Sequence, residues 1–490
     1  MPQRARLFLI SVLAMAVAST AVACEAGGSV SPQAAGPPGA PGSKPNIVLV
    51  LTDDLSTNLL PYLPHVQDMV KNGTSFANYT VTDSLCCPSR SSLFTGMLPH
   101  NTGVFTNGGE DGGYATFHGR GDDKSTYATS LQQAGYRTAM MGKYLNGYTP
   151  KSDGVPPGWN EWDVAGNGYP EFNYDLNENG TVKHYGKKPE DYLVDVMAGK
   201  AARFVTDSAA GHTPFVLELA TFAPHSPYTP APRDANAFPG LTAPRGPAFD
   251  SLPSSPPSWL ASRTPLTDQE KQKIDKDFRK RAQAVQSVDK MIGTVQAALD
   301  KAGVRGNTDL VFTSDNGYHM GEYRLTPGKQ TAFDTDVHVP LVVTGPGVKA
   351  GATVNQPAEN IDLRPTFEAL AGASTPAQVD GESLLPLLNG TTPPAWRSVG
   401  LVEHHGPDFD KTDPDKPTKN SGNPTTYEAI RSADYTYVEY ADGAKEYYDR
   451  RTDPQELHNT AAQLPADKAQ QLHDTLRAMT LCHGTQACRH

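Results

Sequence analysis

The sequence predicts an α/β fold, with a large, mostly parallel sheet flanked by helices and a smaller C-terminal α+β subdomain. Three observations carry this. Residues 46–51, 215–219, 309–312 and 341–343 are short, mainly apolar runs of strand length, as expected for strands buried on both faces. Ile274, Phe278, Val285, Val288, Ile292, Val295 and Leu299 recur at intervals of three, four or seven, which places them on one face of a long helix. From about Pro393 the texture changes, with strand candidates at 398–403 and 435–440 and a last helix near 466–479.

Taken from the N-terminus, Arg4 and Arg6 precede an apolar stretch at 7–18 and small residues leading to Ala21, Val22, Ala23 and Cys24. Residues 1–24 therefore read as an export signal. The apolar stretch is short for a membrane span. The Cys24 context resembles a lipoprotein cleavage site, although Ala21 stands where a larger aliphatic residue is usual, and ordinary signal cleavage is the alternative. The expected location is outside the cell, or at the outer face of the cytoplasmic membrane through a lipid on Cys24. Residues 25–43, rich in Gly, Pro and Ala, read as a flexible tether. The folded body is expected over 44–392, and the smaller subdomain over 393–490.

A formal charge of -11, with no lysine- or arginine-rich block, argues against a nucleic-acid partner. No later stretch is apolar enough to cross a bilayer, so the body is expected to be soluble. Of the five cysteines, Cys482 and Cys488 are expected to close a short loop in an oxidising compartment, and the lack of a CxxC pair disfavours a zinc knuckle. The polar, Pro-rich loop 407–423 either lies over a cleft or is mobile.

The first strand delivers Thr52, Asp53 and Asp54 to its carboxyl end, the edge where open α/β sheets bind ligands. Downstream lies Cys86-Cys87-Pro88-Ser89-Arg90, continued by Ser91-Ser92-Leu93-Phe94-Thr95-Gly96. That run resembles the signature of the sulfatase family of the alkaline-phosphatase superfamily. Four further segments resemble family motifs in the family's order: Gly142-Lys143-Tyr144, Ala223-Pro224-His225-Ser226-Pro227, Asp315-Asn316-Gly317, and Lys329 ahead of Val339-Pro340-Leu341. Glu446 to Asp449 and Asp453 to Asn459 resemble its C-terminal element. The closest texture is that of N-acetylglucosamine-6-sulfatases, though substrate does not follow from texture.

The resemblance implies that a formylglycine-generating enzyme oxidises Cys86 to formylglycine, with Cys87 at a variable position. It implies a metal site of Asp53, Asp54, Asp315, Asn316 and matured Cys86. Such hard oxygen ligands suit Ca²⁺, with Mg²⁺ as the alternative. In the implied reaction a hydroxyl of the aldehyde hydrate attacks sulfur and forms a sulfated-enzyme intermediate. Arg90, Lys143 and Lys329 would stabilise the anionic transition state, and His225, with Lys329, would protonate the leaving oxygen. The sequence departs from many arylsulfatases at Leu145, where a histidine is usual. The base for sulfate elimination stays open among Asn146, His100 and His319, and His319 is also a candidate substrate contact. His404-His405 reads as structural or as pocket rim.

The implied substrate is a sulfated sugar or aryl sulfate. Two alternatives are hydrolysis of phosphate or phosphonate esters on the same scaffold and a non-catalytic carbohydrate-binding protein in which Cys86 stays a thiol.

Overall fold

The computed structural model describes residues 44–411 and 413–490. The expected export signal and tether, with Cys24, lie outside the described residues. Five strands form the centre of the sheet: β1 (Asn46–Thr52), β2 (Arg137–Lys143), β3 (Glu161–Ala165), β4 (Phe215–Ala220) and β5 (Thr308–Ser314). They run parallel in the order β5-β1-β4-β2-β3. Period-2 alternation divides their side chains between two cores. Val48, Val50, Leu217 and Phe312 enter one, and Ile47, Leu49, Val216 and Val311 the other. Both faces are apolar because both are covered.

Helix α1 (Cys86–Thr95) packs Leu93 and Phe94 into the second core. Helices α2 (Leu193–Ala210) and α3 (Asp268–Lys301) cover the first. A capping box between Thr267 and Glu270 starts α3, and all seven residues of its expected apolar face are buried.

The sheet has ten strands and is mixed beyond its centre. The run expected at 341–343 forms the strand Val342–Thr344, which is antiparallel to β5. The reason is the connection. After β5 the chain crosses the carboxyl edge with only the short helix Asp334–Val337, so it re-enters from that edge and runs back. Thr74–Phe76 and Ala352–Val354 extend this side, and the hairpin Tyr174–Glu178 and Thr181–Tyr185 extends the other beyond β3.

Near the C-terminus, Gly400–His404, Tyr427–Arg431, Tyr435–Tyr440 and Lys445–Asp449 form a four-stranded antiparallel sheet. The helix Ala466–Met479 lays Leu472, Leu476 and Met479 against Leu401, Ile430 and Tyr437. Cys482 and Cys488 form a disulfide. Among the described residues no helix is long and apolar enough to cross a membrane.

Because β1, β2, β4 and β5 are parallel, the residues that follow Thr52, Gly142, Ala220 and Ser314 emerge at one edge of the sheet. Segments far apart in the chain meet there.

Candidate active site

Thr52 pairs with Ser314, so Asp53 and Asp54 leave β1 beside Asp315 and Asn316 leaving β5. The Asp315 amide donates to the Thr52 carbonyl at 3.0 Å, and the Asp54 amide to Asp315 Oδ1 at 3.2 Å. Asp54 adopts φ 62°, which aspartate tolerates better than most residues and which turns the chain back across the edge. Every residue of α1 is buried, and Cys86 is its first. The nucleophile candidate thus sits on the positive end of a helix, below the carboxyl edge.

The Cys86 thiol donates to Asp53 Oδ1 at 3.2 Å, and Lys329 Nζ donates to its sulfur at 2.8 Å. Lys329 also reaches Asp54 Oδ1 at 2.7 Å, and Lys143 Nζ reaches Asp53 Oδ2 at 2.6 Å. Arg90 donates through Nε to Asp315 Oδ2 at 2.7 Å and through Nη1 to the Lys143 carbonyl at 2.8 Å. His225 Nε2 lies 3.7 Å from Asp54 Oδ2 and bonds Asp415, while Nδ1 contacts the Ser226 carbonyl at 2.7 Å. One cage therefore contains Asp53, Asp54, Cys86, Arg90, Lys143, His225, Asp315, Asn316 and Lys329.

Burial, with Asp315, Asp415 and Asp53 close by, pushes the Cys86 thiol well above its ordinary range. As a plain cysteine it would be a protonated, weak nucleophile. Burial would discharge Lys143 and Lys329, but Asp53 beside the first, and Asp415 and Asp54 beside the second, hold both firmly protonated. Burial likewise opposes protonation of His225, yet Asp415, Asp54 and Asp53 push it up to about 9.

Oxygens of Asp53, Asp54 and Asp315 and the Cys86 sulfur lie within 4.8 Å of one another. Asn316 donates through Nδ2 to Asp54 Oδ1 at 2.6 Å, whereas its Oδ1 is buried without a hydrogen-bond partner. A buried carbonyl oxygen left over beside three carboxylates fits a hard divalent cation. Behind the cage, Arg281 of α3, also buried, donates to the Asp54 and Pro224 carbonyls.

The remaining sequence candidates are distributed differently. Asn146 lines a cavity with Lys143 and Tyr169. His100 is bonded by Glu403 and the Cys482 carbonyl. His319 is fully buried between Asp336, on Nδ1, and the Ser421 carbonyl, 2.8 Å from Nε2. His404 is buried 3.5 Å from Asp83, and His405 stacks on Phe105 at the rim of a surface cavity. Leu145 is packed in the second core.

Sequence reasoning missed Asp415, Asn107 and Arg281. The loop carrying Asp415 was flagged by composition, but nothing singled out that aspartate. Asn107, whose Oδ1 accepts the Cys87 amide at 2.9 Å, gave no signal at all.

The chain is similar to known proteins over most of its length. The family model described as Sulfatase matches residues 45–373, and that described as N-sulphoglucosamine sulphohydrolase, C-terminal, matches 321–481. The chain is 34% identical over 477 residues to N-acetylglucosamine-6-sulfatase of Homo sapiens, covering 91% of this chain and 86% of the relative. The extracellular sulfatase SULF-1 homolog of Drosophila melanogaster is 37% identical over 74% of this chain and 33% of its own length. Among solved structures, BT4656 in complex with its substrate D-glucosamine-2-N,6-O-disulfate aligns with TM-score 0.76 and 23% identity, covering 89% and 97% of the two chains. The phosphonate monoester hydrolase of Silicibacter pomeroyi aligns with TM-score 0.66 and 23% identity, covering 89% and 94%. At such identities the structural matches speak for the fold alone.

Proposed function

The chain belongs to the sulfatase family, and from that premise we propose that it hydrolyses a sulfate monoester of a saccharide, using formylglycine made from Cys86. The observation that carries the reading is the setting of Cys86: first residue of a buried helix, its sulfur between Lys329 and Asp53, with Arg90 one helical turn on and an unpaired Asn316 oxygen nearby. A sulfated amino sugar is the favoured substrate, given the N-acetylglucosamine-6-sulfatase relatives.

The aldehyde hydrate formed from Cys86 would supply one hydroxyl to attack sulfur and a second whose deprotonation expels sulfate. Asp53, Asp54, Asp315 and Asn316 would hold Ca²⁺, or Mg²⁺ in its place, and the bound ion would supply Lewis-acid withdrawal of charge from the sulfate. Lys143 and Lys329 flank the nucleophile, where they favour negative charge spreading over the ester oxygens. Arg90 acts at one remove by fixing the Asp315 carboxylate. His225 presents Nε2 to the cleft because Nδ1 is engaged by the Ser226 carbonyl, so the proton for the leaving oxygen comes from Nε2.

The same reading has the chain exported, with the Cys482–Cys488 disulfide in keeping with an oxidising compartment. Its two forms are release outside the cell and anchoring at the outer face of the cytoplasmic membrane through a lipid on Cys24.

Peptide mass spectrometry across Cys86, coupled to sulfate release from glucosamine 6-sulfate, tests it. Cys86→Ala should abolish turnover, while Cys87→Ser should keep the aldehyde and most activity. A fully active Cys86→Ala enzyme, or an aldehyde at Cys87, would show the nucleophile to be misplaced. Matched phosphate and phosphonate esters serve as competitors, and faster turnover of either would reassign the reaction.

A further inference from the structure

The cleft is crossed by a segment of the chain itself. Asp413, Pro414 and Asp415 pass between two cavities, with Pro414 lining both. The first, of 410 Å³, is lined by Asp54, His225, Lys329 and Lys416 among others. The second, of 440 Å³, is lined by Lys143, Asn146, Tyr169 and Phe222.

The Asp415 side chain is 1% exposed, and its carboxylate is gripped from four directions. Oδ1 meets His225 Nε2 and lies 3.1 Å from Lys329 Nζ. Oδ2 accepts from Asn107 Nδ2 at 2.7 Å and from Asn146 Nδ2 at 3.5 Å. The Asn107 amide has its orientation set by the Cys87 amide, which takes its oxygen and turns its NH₂ into the cleft. With Nδ1 of His225 engaged elsewhere, Nε2 is the nitrogen able to give a proton to a leaving oxygen, and Asp415 occupies it. A lysine, a histidine and two amides converging on one buried anion is a donor set suited to a charged ester.

We propose that the Asp415 carboxylate is an internal stand-in for the substrate's anionic ester group, and that Asn107 and Asn146 join His225 and Lys329 as donors that receive that group once the 413–415 segment lifts. This rests on the sulfatase reading for the identity of the ester. Asp415 is then a competitor for its own active site. If the closed arrangement holds nine-tenths of the molecules, apparent affinity for the ester is lowered about tenfold.

The experiment uses the full matured protein and inorganic sulfate as probe, at fixed ionic strength. Calorimetry should show Asp415→Asn binding sulfate about tenfold more tightly than the parent, with a matching fall in KM for a sulfate ester. In the Asp415→Asn background, Asn107→Ala and Asn146→Ala should each weaken sulfate binding by about three- to tenfold. Sulfate added to the parent should speed hydrogen exchange at the amides of Asp413, Asp415 and Lys416. A merely structural Asp415 predicts sulfate binding that is unchanged or weaker in Asp415→Asn, and either outcome overturns the proposal, whereas a lower Tm is expected on both readings because Lys329 and His225 lose a buried partner. So does a tightened Asp415→Asn whose affinity is indifferent to both asparagines. Calorimetry and exchange need no turnover. A chain that meets these expectations yet hydrolyses no sulfate ester would refute the proposed reaction, whereas an active sulfatase whose Asp415→Asn variant binds sulfate no better would refute the role of the segment.

Discussion

Asp315→Ala is expected to separate catalysis from folding. Arg90 is completely buried and gives Nε to Asp315 at 2.7 Å and Nη1 to the Lys143 carbonyl, while its Nη2 has no partner. Without the Asp315 carboxylate the nearest anion is Asp53, 4.0 Å from Nη2. Breaking a buried pair from one side costs about 3–5 kcal/mol. Unfolding entropy of about 2.1 cal/mol/K per residue gives roughly 1 kcal/mol per degree for a chain of 490 residues, so Tm should fall by only about 3–5 °C. Removing one of three clustered carboxylates also relieves repulsion, which places the expectation at the low end. Loss of a metal ligand should cut kcat by at least about a hundredfold and calcium affinity by at least about tenfold. Asp315→Asn retains an oxygen for Arg90 but not the charge, so it should recover most of the Tm and little of the calcium affinity. The assays are calorimetric Ca²⁺ titration of metal-stripped protein, thermal unfolding and sulfate release. An Asp315→Ala protein with parental calcium affinity and kcat would refute the metal assignment, and one that fails to fold would make Asp315 a structural residue first.

His225→Ala should slow esters of poor leaving groups, such as sugar sulfates, by about 10²–10⁴-fold while sparing nitrophenyl sulfate, whose leaving oxygen needs little proton assistance. A uniform loss across a leaving-group series would reassign His225 to positioning. Away from the cleft, burial pushes the Asp309 carboxyl up to about 7, and its Oδ2 has no partner. The folded chain therefore keeps a proton that the unfolded chain has released, so stability should fall as pH rises from about 4 to 7 and level off above. Asp309→Asn should remove up to about 4 kcal/mol of that slope, read as a higher Tm at pH 8 and an unchanged Tm near pH 4. A parallel shift at both pH values would show that the cost is not one of ionisation.

The parts of the fold that were legible in the sequence are those whose neighbours are fixed by burial alone. Residues 46–51, 215–219 and 309–312 lie in strands covered on both faces, and the helix marked by Ile274 to Leu299 buries one continuous stripe. Direction was harder to read. The run at 341–343 looks like the others because it too is buried, yet its polarity depends on how residues 315–341 travel, and no local pattern encodes that. The sheet edges were illegible for a related reason. Strands of two or three residues, such as Thr74–Phe76, carry too few side chains for any periodicity to register.

In the cage, legibility followed covalent proximity to a recognisable motif. Asp53, Cys86, Lys143, His225, Asp315 and Lys329 each sit in a segment with its own texture, and parallel strand ends then oblige them to meet. Asp415 has no such texture: it is one of several aspartates in a polar loop, distinguished only by the partners that surround it. Those partners come from four segments far apart in sequence, at Asn107, Asn146, His225 and Lys329. A buried carboxylate among exposed ones is chosen by where positive charge and amide donors have already converged, because only there is its desolvation offset. The donors are a property of the assembled edge, so the residue that answers them can be identified only after assembly. That same dependence is why Asp415 should be displaceable: an ester sulfate offers the donors more oxygens at equal charge, without having to bend a loop to deliver them.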